Sequence, residues 1–183
     1  MARVLIPLAE GCEELEAVTV IDLLRRAGIE VVCAGLDDGA VTASRGVVLV
    51  PDTTLDAVMN ETFDMVVLPG GGPGAERLGQ DGRILDLLQR MAADGQFTAA
   101  ICAAPKVLAK AGLLQGKTAT SYPGALASVG GGGAHLSDDP VVCDGKVITS
   151  RGPGTAMDFA LQLIETLVGK AQRDGVEIGL QRP

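Results

Sequence analysis

Short apolar runs alternate along this chain with segments whose apolar residues recur every three or four positions. Residues 4–8, 29–34, 64–68, 147–149 and a run stopping at Cys102 read as buried strands, with 118–120 a shorter one. Residues 14–27, 84–91 and 155–168 read as helices. In the first, Leu15, Val18, Ile21 and Leu24 form one stripe that Gly28 ends. In the last, Met157, Ala160, Leu161, Ile164 and Val168 do the same. Two short runs, 41–43 and 47–50, flank Ser44-Arg45-Gly46 and suit a small ribbon. Strands with no polar alternation must be covered on both faces, which predicts an α/β architecture with a mostly parallel sheet between helical layers. With 183 residues, 47% of them hydrophobic, the chain can bury such a core as one domain over 1–183.

In a parallel sheet, functional groups gather at the carboxyl ends of the strands, and three informative loops fall there: 10–16, 69–74 and 102–104. The third is the sharpest. Ala99-Ala100-Ile101 is a compact strand, and Pro105 suits the first turn of a helix continued by Val107, Leu108 and Ala111 up to Gly112. Ala100 and Ala104 flank Cys102 where a strand-to-helix elbow leaves no room for bulk. A cysteine there faces unpaired first-turn N–H groups, which predicts a lowered thiol pKa and a nucleophile. A small apolar residue buried in the core is the other reading of the same position.

The other two loops are also double-valued. Pro69-Gly70-Gly71-Gly72-Pro73-Gly74 lacks the Lys-Ser/Thr of a phosphate loop and the spacing of a dinucleotide fingerprint, so no cofactor is implied. It is either a tight turn or a set of backbone donors for an oxyanion. Glu13, Glu14 and Glu16 sit where carboxylates complement a helix dipole and are usually solvated.

Composition removes several classes. A formal net charge of −8 argues against nonspecific nucleic-acid binding. The four cysteines include no close pair, which argues against a disulfide framework or a zinc site and suits a reducing cytoplasm. Residues 1–7 lack the apolar core of a signal peptide, and no apolar run is long enough to span a membrane.

Five motifs in this order resemble the ThiJ/PfpI superfamily, in the DJ-one branch that holds the parkinsonism-associated protein deglycase and bacterial YajL. They are Glu-Gly-Cys-Glu-Glu-Leu-Glu at 10–16 and Asp-Leu-Leu-Arg-Arg-Ala-Gly at 22–28, then Leu-Pro-Gly-Gly at 68–71. Ala-Ile-Cys-Ala-Ala-Pro at 100–105 and Thr-Ser-Arg-Gly-Pro-Gly-Thr at 149–155 complete the set. The resemblance implies a flavodoxin-like three-layer sandwich and a homodimer with Arg45 and Pro153 near its interface. It implies Cys102 as nucleophile and redox sensor, Glu16 as its acidic partner, and oxyanion donors from the backbone of Gly71 and Ala103. The expected activity is a cysteine-dependent glyoxalase or deglycase acting on 2-oxoaldehydes or early glycation adducts; a redox-responsive protective protein or chaperone is the alternative. An inert buried cysteine in the same fold is the third reading.

The chain departs from the pattern twice. Tyr122 stands where many members of the branch carry a histidine, and is expected to orient substrate through its hydroxyl. Ala103 stands where peptidase-like members carry a histidine, which argues against a Cys-His hydrolase. His135, the sole histidine, follows a glycine run and reads as a surface loop residue. The helix over 14–27 also carries Ala17, Val20 and Leu23 beyond its core stripe, a surplus that an isologous dimer contact would bury.

Overall fold

The computed structural model describes residues 1–182. The chain opens with β1 (Arg3–Leu8), α1 (Glu14–Arg26) and β2 (Glu30–Gly35). Three short strands follow, β3 (Val41–Thr42), β4 (Val48–Leu49) and β5 (Thr53–Thr54), then α2 (Leu55–Val58). The middle holds β6 (Met65–Leu68), α3 (Gly72–Gln80), α4 (Gly82–Ala93), β7 (Phe97–Ile101) and α5 (Pro105–Lys110). After these come β8 (Thr118–Ala119), β9 (His135–Leu136), β10 (Val141–Asp144), β11 (Val147–Ser150), α6 (Ala156–Val168) and α7 (Lys170–Gly179).

Among the described residues, the main sheet runs β10-β11-β7-β6-β1-β2-β5 and is parallel except for the β10–β11 hairpin. Its five longer parallel strands take the flavodoxin-like order, in which neighbouring strands lead away in opposite directions from the β1/β6 junction. The expected flavodoxin-like three-layer sandwich is therefore what forms. Period-two alternation splits the core between the layers. Val4, Ile6, Leu8, Met65, Val67, Ala99 and Ile101 face α1 and α6. Leu5, Val66, Leu68 and Ala100 face α3, α4 and α5. Loops leaving β1, β6 and β7 thus emerge side by side at one edge, astride the junction.

The structure corrects two local readings and adds two helices that the sequence did not suggest. On α1 the buried residues are Ala17, Val20, Leu23 and Leu24, whereas Leu15 and Val18 are 49% and 45% exposed. The surplus exists, but its two faces are exchanged: both carry apolar residues, and periodicity does not say which one meets the sheet. On α6, Met157 and Val168 are likewise exposed, and Phe159 and Leu163 fill the core. The glycine-rich loop after β6 continues as helix from Gly72, with Pro73 in its first turn. A side chain at Gly74 would come within 2.6 Å of the Cys12 Cα, so close packing, not helix propensity, selects that glycine. Finally α7, rich in charge, forms through Arg173–Glu177 and Lys170–Asp174 pairs at helical spacing with Val176 buried beneath.

Candidate active site

Cys102 directly follows β7 with φ +64°, one of two non-glycine residues in the left-handed region among the described residues. Such a conformation costs about 1–2 kcal/mol in an L-residue, so neighbouring structure must enforce it. The Cys102 N–H donates to the Ser150 carbonyl at 2.9 Å, and the Cys102 carbonyl accepts from the Tyr122 N–H at 2.8 Å. The Ala104 N–H closes the elbow on the Ile101 carbonyl at 3.0 Å, and Ala104 is wholly buried. The backbone N–H groups of Gly71 and Ala103 lie near enough to the sulfur to favour its thiolate. Gly71 and Ala103, the two residues expected to donate, therefore both lie beside Cys102. The helix behind them, α5, spans six residues, so its dipole is smaller than the sequence suggested.

Glu16 comes from the first turn of α1 and is fully buried. Its Oε2 accepts the Gly70 N–H at 2.8 Å, its carboxyl lies beside Cys102, and Oε1 is buried without a partner. The neighbouring glutamates behave differently. Ser44 Oγ lies 2.7 Å from Glu13 and 2.9 Å from Glu14, and Glu14 accepts the Arg45 N–H at 2.8 Å. They fasten the β3–β4 turn to the start of α1, leaving Glu16 as the carboxyl that turns inward. Gly70, which the sequence reading passed over, is the spacer of the site. A Cβ there would fall 2.6 Å from both the Cys102 Cβ and the Glu16 Oε2. Two glycines closing a strand that ends beside an elbow cysteine were the available signal for it.

Burial pushes the Glu16 carboxyl up from its ordinary 4.5 to about 7, against the opposing hydrogen bonds from Cys102 and the Gly70 N–H. Burial and the negative charge of an ionised Glu16 push the Cys102 thiol up to about 12, opposed by the Gly71 and Ala103 N–H groups. The expectation of a simply lowered thiol pKa is thus corrected: burial and the neighbouring charge outweigh the elbow's donors. The influence of Glu16 changes sign with its proton. As a carboxylate it opposes the thiolate, and as a neutral acid it donates to it. With one proton on the pair, the thiolate is reached only when that proton moves from sulfur to the Glu16 carboxyl. No other thiol has a buried carboxyl beside it: the Asp52 carboxylate next to Cys33 is half exposed and paired with Arg25. Burial raises Cys12 to about 11 and Cys33 to about 12, and it raises Cys143 as well.

This coupling reaches stability. Glu16 holds its proton more tightly folded than unfolded, so its contribution is full below about pH 4.5 and is lost as pH rises through about 7. The shift corresponds to about 3 kcal/mol. Urea unfolding of wild type should therefore lose about 3 kcal/mol relative to Glu16→Gln between pH 4.5 and 8. Parallel pH profiles for the two proteins would contradict it.

Tyr122 is tied to the site by its backbone, but its ring packs beside Gly152 and is 54% exposed. It borders a recess of about 70 Å³ with Thr120, whose buried Oγ1 has no partner. His135 is at the surface as expected, exposed on the short strand β9, and its backbone N–H donates to the Lys117 carbonyl. Arg45 is exposed at the β3–β4 turn, and Pro153 is half-buried in the 3-10 turn Pro153–Thr155.

Comparison with known proteins gives one consistent match. The DJ-1/PfpI family model matches residues 2–166. Protein dj-1beta of Drosophila melanogaster is 48% identical over 177 residues, covering 96% of this chain and 95% of the relative. The Caenorhabditis elegans glutathione-independent glyoxalase DJR-1.2 is 39% identical over 168 residues, covering 92% and 89%. Among solved structures, Drosophila melanogaster DJ-1beta aligns with TM-score 0.95 and 47% identity over 100% of this chain and 98% of that one. Toxoplasma gondii DJ-1 in an oxidized form aligns with TM-score 0.93 and 42% identity over 98% of each.

Proposed function

We propose that this chain, which belongs to the DJ-1/PfpI family, converts 2-oxoaldehydes such as methylglyoxal to 2-hydroxy acids without glutathione. Early glycation adducts of proteins and nucleotides would be processed by the same chemistry. The observation that carries this reading is a cysteine held at φ +64° between two N–H donors and a buried carboxyl. The C. elegans relative's name adds support. The Cys102 thiolate attacks the aldehyde carbon, and the oxyanion formed takes the Gly71 and Ala103 N–H groups. Glu16 removes the proton from that carbon and returns it to the adjacent one, so the aldehyde carbon is oxidised as the ketone carbon is reduced. Water then cleaves the resulting thioester and frees the thiol. The test is steady-state formation of lactate from methylglyoxal in the absence of glutathione, on wild type and Cys102→Ser. No turnover by wild type would overturn the reading.

A second reading has an observation of its own. A protonated Glu16 donates to a sulfenate or sulfinate as readily as to a thiolate, and the Toxoplasma gondii relative was solved oxidized. Oxidation of Cys102 by peroxide would then be a signal, with protection or chaperoning as its output. Peroxide titration with mass analysis of the Cys102 peptide tests it.

The reading extends to a homodimer in a reducing cytoplasm. Leu15 and Val18 on α1 and Val47, Val48 and Val50 on the β3–β4 ribbon are exposed, with Arg45 between the strands. The loop at the ribbon's base is joined to the start of α1 by Gly11 N–H to Thr42 carbonyl and Ser44 N–H to Cys12 carbonyl bonds. A second copy would bury these apolar groups. Sedimentation should give about twice 18.6 kDa, and Leu15→Glu with Val48→Glu should give monomer. A monomeric wild type would contradict the proposal. No helix among the described residues is long and apolar enough to cross a membrane.

A further inference from the structure

A second cavity, of about 400 Å³, lies between α3 and α5 and contains none of the site residues described above. Its volume falls in the range of small-ligand pockets. It exists because the facing helices present small groups to each other: Ala75 and Gly79 from α3, Val107 and Ala109 from α5. Gly132, at φ +58°, closes one end, packed so tightly on Ala109 that no side chain fits there. The floor is therefore apolar and its walls are fixed by backbone contact.

Three charged groups line the cavity. Lys106 and Lys110 come from α5 and Glu76 from α3. The Lys106 Nζ lies 3.5 Å from the Glu76 carboxylate, with the lysine the more buried partner. Lys110 has no ion pair among the described residues. In a chain of net charge −8, this cavity carries a local excess of one positive charge over an apolar floor. A neutral ligand would leave that charge unused, and a cation would meet two lysines.

We propose that this cavity binds a small carboxylate with an apolar body, the size of an aryl or branched-chain acid. The apolar part fills the space over Gly79 and Val107, and the carboxylate sits between Lys106 and Lys110. Glu76 occupies part of the position that the ligand's carboxylate takes, and being more than half exposed it can swing into solvent.

The test uses phenylacetate as the probe, followed by calorimetry and ligand-observed NMR on the full chain. Saturable binding is expected with a Kd near or below about 1 mM, a range open to a ligand of about ten heavy atoms. Phenylacetamide, which keeps the shape and loses the charge, should bind at least about tenfold more weakly. Glu76→Gln should tighten phenylacetate binding about threefold or more, since it removes a competing anion. Gly79→Leu should abolish binding. Its first added atom meets only the Val107 Cγ2, at 3.6 Å, so the side chain starts from open space on the cavity wall, and circular dichroism and Tm will verify that the fold is kept. Cys102→Ser should bind as wild type does. The proposal is overturned by absence of saturable binding, by equal binding of acid and amide, or by binding that survives Gly79→Leu. Loss of binding in Cys102→Ser would also overturn it, placing the probe in the active site.

Discussion

Cys102→Ser should lower methylglyoxal turnover by at least about 10³-fold, the scale on which removal of a nucleophile acts. Size is not the reason, since serine fits the space. A serine hydroxyl has a far higher pKa than a thiol, and the site already works against ionisation: burial and Glu16 push even the thiol up to about 12. The donors that offset this, the Gly71 and Ala103 N–H groups, are too few to ionise an alcohol as well. The backbone of the variant should be unchanged, because the Ser150 and Tyr122 hydrogen bonds that hold φ at +64° are made by main-chain atoms. Lactate formation and circular dichroism together make the check. Turnover within tenfold of wild type would remove Cys102 from the chemistry.

The second large effect belongs to Glu16. Glu16→Gln keeps the shape and the neutral state of the side chain but cannot carry a proton back and forth, so kcat/KM should fall roughly 10²-fold or more. Tyr122→Phe should cost no more than about tenfold, or about 1.4 kcal/mol. The structure gives a reason for the contrast. The Glu16 carboxyl touches Cys102 and keeps a buried Oε1 unpaired, whereas the Tyr122 ring is more than half exposed and touches the site through its backbone. With Glu16 titrating at about 7, wild-type rates should also bend near neutral pH, and the bend should vanish in Glu16→Gln. If Tyr122→Phe is the more damaging change, proton transfer must be reassigned.

Much of this was legible in the sequence because local chemistry and fold agree there. The order of apolar strands carried the sheet, and Ala100, Ala104 and Pro105 around Cys102 carried the elbow. What was not legible depends on tertiary contact. Leu15 and Val20 are equally apolar, and the sheet alone decides that Val20 goes in and Leu15 stays out. Gly72 to Gln80 does not read as helix, because Gly72, Gly74 and Gly79 lower its propensity, and Gly74 is required by close approach to Gly11 and Cys12. The direction of the Cys102 shift comes from its own burial and from the charge of Glu16, 86 positions away in sequence, neither of which a local window contains.

The two main-chain hydrogen bonds that hold Cys102 have a consequence for the order in which the protein becomes chemically competent. During synthesis Glu16 emerges first, then Gly70 and Gly71, then Cys102, then Tyr122, and Ser150 last. Until Ser150 is in place, the segment around residue 102 lacks one of its two anchors, and its cysteine can relax to an ordinary backbone conformation. A nascent chain therefore carries an ordinary thiol with a pKa of about 8.5, reactive towards anything in solution and selective for nothing. Closure of β11 on β7 converts it into a guarded group with its own acid. Chemical selectivity is thus acquired in one late folding event, and a chain stalled before that event carries its cysteine unguarded.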